Sequence, residues 1–363
     1  MSGAPMLREA IITGTGSFVP SRVVTNAELS AQLHEDIGPF VSGTLGIVER
    51  RWCTASESTA DLAEGAARRA LDAARLSVDD IDLLIVATDT PEYISPATAS
   101  VLHGRLGTRN AGTFDLNAGC AGFVTALDVA WKYLRADPRY RRILVVGVYA
   151  MSKWLDPLDK KTVTIFADGA GAVVVEASDE PGILSSELFA DGRYCEGMGI
   201  FAGGARTPIT ADVLTAGVSN RLRFVQKYPA SVNEAGWPRI VQSVLARAGY
   251  TPADVDCWLW TQVNRSTIVQ VMETLGQPMA RAHTVMHKWG YTGSACLPMA
   301  LDDAVRSGVI RDGQLVIFTG SGAGLAMGSL AMRWRTQAGA PMTAPDGPPA
   351  RDEYDAHERE SNR

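Results

Sequence analysis

Residues 116–122 read Leu-Asn-Ala-Gly-Cys-Ala-Gly, with Cys120 set among the smallest side chains. A thiol here has two readings. Phe123, Leu127, Ala130 and Leu134 follow on one helical face. Cys120 would then open a helix, where free N–H groups and the helix dipole favour a thiolate nucleophile. Gly119 and Gly122 would let a substrate or a second backbone come close. In the other reading the cysteine packs as a small hydrophobe. Cys53, Cys195, Cys257 and Cys296 form no CxxC pair with it or with each other. Free thiols in a reducing compartment are expected.

Other segments carry weaker signals. Gly320–Gly328 reads GSGAGLAMG and lacks both the Lys-Ser/Thr of a P-loop and a GxGxxG pattern. It reads better as backbone passing close to a reacting carbonyl and offering it an N–H. Gly14-Thr-Gly16 reads as a tight turn. His283 and His287 stand four apart, a zinc-gripping spacing on a helix. No HExxH glutamate accompanies them and Gly290 follows closely, so no metal is expected. The run Asn220–Lys227, with Arg221, Arg223 and Lys227, would form a basic strip together with Arg265, or else a solvated helix face. Trp154, Trp258, Trp260 and Trp289 either line an apolar tunnel or pack the core.

These residues need a scaffold, and the chain repeats itself to build one. The segment from Ser77, SVDDIDLLIVATDT, matches TPADVDCWLWTQVN from Thr251, placing Asp82 and Asp256 174 residues apart. GFVTALDVAWKYL from Gly122 matches CLPMALDDAVRSG from Cys296, placing Asp128 and Asp302 at the same offset. Apolar runs such as Leu83–Ala87 alternate with helical stretches, which implies an α/β fold with strands covered on both faces. The expected halves are residues 1–178, with Cys120, and 179–335, followed by a disordered Pro- and charge-rich tail, 336–363. The chain has 363 residues and a net charge of −6, which argues against a nucleic-acid partner. No apolar run is long enough for a bilayer, and the start lacks signal-peptide character.

Together the segments resemble the thiolase-fold condensing enzymes, specifically the β-ketoacyl-acyl carrier protein synthase III group. The likeness spans residues 8–334. It rests on GIVERR (46–51), DLNAGCAGF around Cys120, TIFADGAGAVVV from Thr164, Gln262-Val-Asn264, WGYTGSACLPMAL from Trp289 and GAGLAMGS from Gly322. It implies a thiolase-like αβαβα layered fold of two duplicated halves, in a cytoplasmic homodimer without a tightly bound cofactor. Coenzyme A or phosphopantetheine thioesters would be the substrates, and acyl-CoA or an acyl carrier protein the partner. By the same resemblance Cys120 takes the acyl group, and the N–H groups of Cys120 and Ala323 form the oxyanion hole. Lys160 falls near the CoA nucleotide. Ser95, in Tyr93–Pro96, belongs to a loop with which a partner subunit closes the acyl pocket. Trp154, Asn264 and Arg265 join Lys160 and Ser95 in the expected binding set. Arg221, Arg223 and Lys227 are the expected carrier-protein docking residues.

Two positions depart from the group. Thr261 stands where a histidine is usual and Tyr291 where an asparagine is usual. In the group those two side chains stabilise the enolate formed on decarboxylation. The resulting expectation is an acyltransferase of specialised metabolism that passes the acyl group to an oxygen, nitrogen or activated carbon nucleophile. The alternatives are a decarboxylative synthase using substitutes such as His287 and Tyr291, and a non-catalytic partner subunit.

Overall fold

The computed structural model describes residues 8–216, 219–226, 228–229 and 231–335. The tail 336–363 and Lys227, for which expectations were stated, lie outside the described residues. Thirteen strands are described: β1 (Glu9–Phe18), β2 (Arg22–Thr25), β3 (Glu49–Trp52), β4 (Leu83–Ala87), β5 (Gly112–Leu116), β6 (Arg142–Ala150), β7 (Asp168–Ser178), β8 (Ile183–Ala190), β9 (Met198–Gly199), β10 (Arg223–Phe224), β11 (Cys257–Trp260), β12 (Leu315–Gly322) and β13 (Ala326–Arg333).

Of the two large sheets one runs β1-β7-β6-β4-β5 and the other β11-β12-β13-β8, and β2-β3 and β9-β10 form two-stranded pairs. β4 is parallel to β5 and β6, and β11 is parallel to β12; the remaining pairs in these sheets are antiparallel. The helices Gly122–Ala136 and Cys296–Arg306 lie between the sheets. Helices Thr59–Ala74 and Thr98–Leu106 cover the outside of the first sheet, and Ser231–Ala248 with Arg265–Thr274 the outside of the second. The layers are therefore αβαβα. β4 is buried at every position, as its unbroken apolar run requires of a strand covered on both faces.

The 174-residue offset recurs in the elements. It takes Leu83 of β4 to Cys257 of β11, Gly122 to Cys296 at two helix starts, and Ala74 to Ala248 at two helix ends. It fails after β6. Residues 151–167 join β6 to β7, whereas residues 323–325 suffice between β12 and β13. The short hairpin and the long arm make the two halves chemically unequal.

Buried carboxylates tie the halves together reciprocally. Asp302, on the helix Cys296–Arg306, is 1% exposed and accepts from Thr15 (2.7 Å) and Ser17 (2.6 Å) of β1. Asp128, on the helix Gly122–Ala136, accepts from Ser186 of β8. Each also pairs with a base one turn on, Arg306 and Lys132. Gly14 and Gly16 are not a tight turn. They lie within β1, where a Cβ would meet Ala70, Ala74 and Ala66 of the covering helix within 2.7 Å. Their lack of a side chain lets the helix backbone sit directly on the strand. Among the described residues no helix is long and apolar enough to cross a membrane.

Asp302→Ala would leave the Thr15 hydroxyl buried without its acceptor and Arg306 without its partner. The expected cost is about 3 kcal/mol of unfolding free energy. Urea denaturation should show a lower midpoint with an unchanged slope.

Candidate active site

Cys120 sits in a tight turn between β5 and the helix Gly122–Ala136. Gly119 takes a left-handed conformation (φ +53°), Ala121 N–H donates to the Ala118 carbonyl (3.2 Å) and Gly122 N–H to that of Gly119 (2.9 Å). The helix follows as its apolar face implied, with Phe123, Leu127, Ala130 and Leu134 fully buried. The same turn recurs 174 residues on. Gly293 is left-handed (φ +48°) and Ser294 occupies the counterpart of Cys120, its hydroxyl donating to the Val148 carbonyl (2.8 Å). The second turn therefore packs against the first half, and of the two only the first carries a thiol at this position.

The glycine-rich stretch Gly320–Gly328 is a strand–turn–strand hairpin, with no helix to receive a phosphate. Its backbone presses on the Cys120 turn. A Cβ at Gly322 would stand 2.2 Å from Cys120 N, and one at Gly320 3.1 Å from the Cys120 carbonyl oxygen. A Cβ at Gly119 would stand 3.0 Å from Ala323 N. The amides of Cys120 and Ala323 are thus brought to one place.

The thiol itself corrects an expectation. Cys120 is 2% exposed, and burial, with the charge of Asp89 adding to it, pushes its pKa well above the ordinary value. Desolvation outweighs the helix terminus, because a thiolate in this apolar cavity loses its hydration. Two hydrogen bonds oppose the rise, one from the Tyr291 hydroxyl to the sulfur and a weaker one from the backbone of Cys120. Tyr291 is fixed by its own backbone, which bonds Ile165 (3.1 Å) and Ala167 (2.9 Å), and by its ring, 5.5 Å from that of Phe166.

Thr261 follows β11 and is buried. Its N–H donates to Thr319 (2.9 Å) and its Oγ1 accepts from Ser321 N–H (3.0 Å), holding the hairpin rather than facing a substrate. His287 is half-buried in the short helix Met286–Trp289, and its carbonyl accepts from Val48 N–H (3.2 Å). Gly290 (φ +72°) turns the chain between His287 and Tyr291. His283 precedes that helix and bonds Asp303 through Nε2 (2.8 Å), so the two histidines do not share a helical face. Among the described residues no cluster of three His, Cys, Asp or Glu could hold a metal.

Asn264 caps the helix Arg265–Thr274, its Oδ1 accepting from Ser266 N–H (2.9 Å). Arg265 opens that helix and packs its stem beside Gly46. Lys160 opens a short helix and pairs with Glu35 (2.8 Å) on the surface. Ser95 and its neighbours are exposed, Tyr93 by 54% and Ile94 by 83%. The run after Asn220 is loop and strand β10, not a helix face. Arg221 and Arg223 are exposed on it; Arg221 donates to the Lys153 carbonyl (3.0 Å) and Leu222 N–H to that of Trp154 (2.8 Å). The structure so joins Trp154 to the basic segment, and Phe224 stacks on Phe166 (6.4 Å), which touches Tyr291. Trp258 and Trp260 line no tunnel: both are fully buried and stacked, 5.4 Å apart, and Trp237 stacks on Trp260 at 5.3 Å.

Three residues near the thiol escaped the sequence reading. Tyr228 donates through its hydroxyl to the Tyr194 carbonyl (3.4 Å), and burial, with Cys120 nearby, raises its pKa. Tyr149, at the end of β6, is fully buried with a hydroxyl that has no hydrogen-bond partner. Asp89 is partly exposed as a whole, but its Oδ1 is buried without a partner, and burial raises its carboxyl to about 6. The available signal was Thr88-Asp89-Thr90, a polar triplet directly after an unbroken apolar strand.

Comparison with known proteins gives a consistent neighbourhood. The sequence model described as 3-oxoacyl-[acyl-carrier-protein (ACP)] synthase III matches residues 114–192, and its C-terminal counterpart matches residues 245–334. The β-ketoacyl-[acyl-carrier-protein] synthase III of Alkalilimnicola ehrlichii is 40% identical over 90% of this chain and 99% of that protein. The crystal structure of 3-oxoacyl-(acyl carrier protein) synthase III from Pseudomonas aeruginosa PAO1 is similar with a TM-score of 0.83 at 32% identity, covering 91% of this chain and 99% of that one. The priming β-ketosynthase from the R1128 polyketide biosynthetic pathway reaches 0.85 at 30% identity, covering 93% and 99%.

Tyr291→Phe would remove the one hydroxyl that favours the Cys120 thiolate, so the thiol pKa should rise further. Alkylation of Cys120 by iodoacetamide at about pH 8, followed by peptide mass, should be slower than in the wild type.

Proposed function

This chain belongs to the β-ketoacyl-[acyl-carrier-protein] synthase III family and is an acyltransferase, and from that premise we propose that it transfers acyl groups without decarboxylation. Cys120 takes an acyl group from a CoA or acyl-carrier-protein thioester. It passes the group to an oxygen, nitrogen or already activated carbon nucleophile, a role suited to specialised metabolism. The tetrahedral oxyanion sits against the N–H groups of Cys120 and Ala323. One preorganised donor of this kind is worth roughly 3–4 kcal/mol of barrier.

The observation that carries this reading is how positions 261 and 291 are used. Thr261 Oγ1 is engaged by Ser321 N–H, and the Tyr291 hydroxyl is engaged by the Cys120 sulfur. Position 261 therefore offers one neutral O–H where an imidazole is usual, and position 291 a packed ring where a small amide is usual, so the pair that would hold a second carbonyl oxygen while carbon dioxide departs is replaced. The enolate of a malonyl group would form without its usual pair of donors, at a loss of about 10²-fold or more for each.

The substrate side follows the same premise. No tightly bound cofactor is invoked, since the thioester carries its own activation. The exposed Arg221 and Arg223 suit the phosphates of CoA or an acidic carrier protein. The Lys160–Glu35 surface pair is weak enough for a ligand phosphate to displace Glu35. β5 is an edge strand, and the Tyr93–Pro96 loop is exposed, features that suit a second copy of the chain in a homodimer.

Intact-mass measurement after incubation with a panel of acyl-CoA and acyl-carrier-protein thioesters should show an acyl adduct on the wild type and none on Cys120→Ala. Malonyl-carrier protein offered to the acylated enzyme should release no carbon dioxide above the Cys120→Ala background. Rapid release that depends on Cys120 would replace this reading with a decarboxylative synthase. Absence of any adduct would leave a non-catalytic subunit.

A further inference from the structure

The end of β4 holds a carboxyl that the reaction above has not used. In the first sheet, Ala87 of β4 stands level with Leu116 of β5 and Gly147 of β6. Asp89, Cys120 and Tyr149 follow those three residues within a few positions, so Asp89 and Cys120 leave the sheet at the edge where Tyr149 nears the end of β6. The arch around Asp89 is pinned from three sides. Thr88 N–H donates to the Leu116 carbonyl (3.1 Å), Ala150 N–H to Thr90 Oγ1 (2.9 Å), and Thr59 Oγ1 to the Thr90 carbonyl (2.7 Å).

A rigid, buried arch would ordinarily satisfy its polar atoms, yet Asp89 Oδ1 and the Tyr149 hydroxyl are buried without partners among the described residues. The Asp89 charge acts on both Cys120 and Tyr149. The other titratable groups facing the thiol and Tyr149 among the described residues are Tyr291, Tyr228, Cys296 at the start of the helix Cys296–Arg306, and Asp168 of β7. None is a cation, so among the described residues no ion pair accounts for the carboxyl.

Resting on the reading that Cys120 is acylated, we infer that Asp89 is the acid–base group of the reaction, taking the place of the imidazole absent at position 261. As the thiol attacks the thioester carbon, its proton passes through one bridging water to Asp89, whose Oδ1 makes no direct hydrogen bond to the sulfur, and the Cys120 S–C bond forms. Collapse of the tetrahedral intermediate breaks the bond to the CoA or phosphopantetheine sulfur, which leaves with the proton from Asp89. In the second half, an O–H or N–H of the acceptor gives its proton to Asp89 as its lone pair bonds the acyl carbon. The bond to Cys120 then breaks and the thiolate regains that proton. No electrons are gained or lost overall. A carboxyl raised to about 6 is ionised at neutrality yet basic enough for this task.

The test follows acylation of Cys120 in the full chain by rapid-mix intact mass. Acetyl-CoA and, separately, octanoyl-CoA serve as donors, from about pH 5 to about pH 8. The wild-type rate should rise through the titration of a group near about 6 and then level off. Asp89→Asn should lose that rise and be about 10²-fold slower or more, and Asp89→Glu should restore the rise. Electrostatics alone act the other way: removing an anion beside the thiol favours the thiolate and would speed acylation. Rescue by Glu separates chemistry from folding. An Asn variant acylated at the wild-type rate, or keeping the wild-type pH inflection, overturns the inference while leaving the acyl-transfer reading intact. A wild type that takes neither donor overturns that reading instead.

Discussion

The structure turns on the close passage of two backbones. β12 and its hairpin run so near the Cys120 turn that a methyl group at Gly322 would lie 2.2 Å from the Cys120 nitrogen. Backbone approaching backbone at this range requires glycine on both sides, and Gly119, Gly320 and Gly322 supply it. Because the two strands of backbone come from different halves, the candidate oxyanion site exists only when the halves are docked. The buried carboxylates Asp128 and Asp302, each reaching a strand of the other half, hold that docking in place. An unpaired buried charge is costly, so neither contact can slip without penalty.

Duplication supplies the frame, and breaking the duplication supplies the site. Both halves carry the left-handed glycine turn at the start of a central helix, but one presents Cys120 and the other a serine spent on the Val148 carbonyl. The three-residue link between β12 and β13 brings Ala323 to the thiol. The long arm between β6 and β7 brings Phe166, which fixes the ring of Tyr291. The departures at positions 261 and 291 are absorbed structurally. Threonine ties the hairpin to β11, and tyrosine replaces a small amide with a packed ring whose hydroxyl meets the sulfur.

Burial sets the electrostatics of the cavity more than any single charge. It lifts Cys120, Tyr149, Tyr291 and Cys296, all of which therefore stay protonated in the resting site. A thiol so placed is unreactive until a proton acceptor and an electrophile are present together. In the proposed reaction such burial would shield the thiol from adventitious chemistry and put a premium on the carboxyl at Asp89.

Much of this was legible in the chain. The 174-residue offset identified two like halves, because strand and helix periodicities are local and survive divergence. The helix after Cys120 was readable from its apolar spacing, and the same residues carried the family likeness. What the chain could not show was whatever depends on distance between remote residues. Trp258 and Trp260, on β11, became core because Trp237, from the helix Ser231–Ala248, stacks on Trp260. Gly14 and Gly16 lie inside a strand because a helix sits on it. The thiol pKa rises because several elements close over Cys120, which a helix-terminus argument made from neighbours in sequence cannot count. Sequence by itself determined the fold, the duplication and the cysteine. Only the tertiary structure decided which groups face that cysteine, since desolvation and hydrogen bonding act through space between residues the chain keeps far apart.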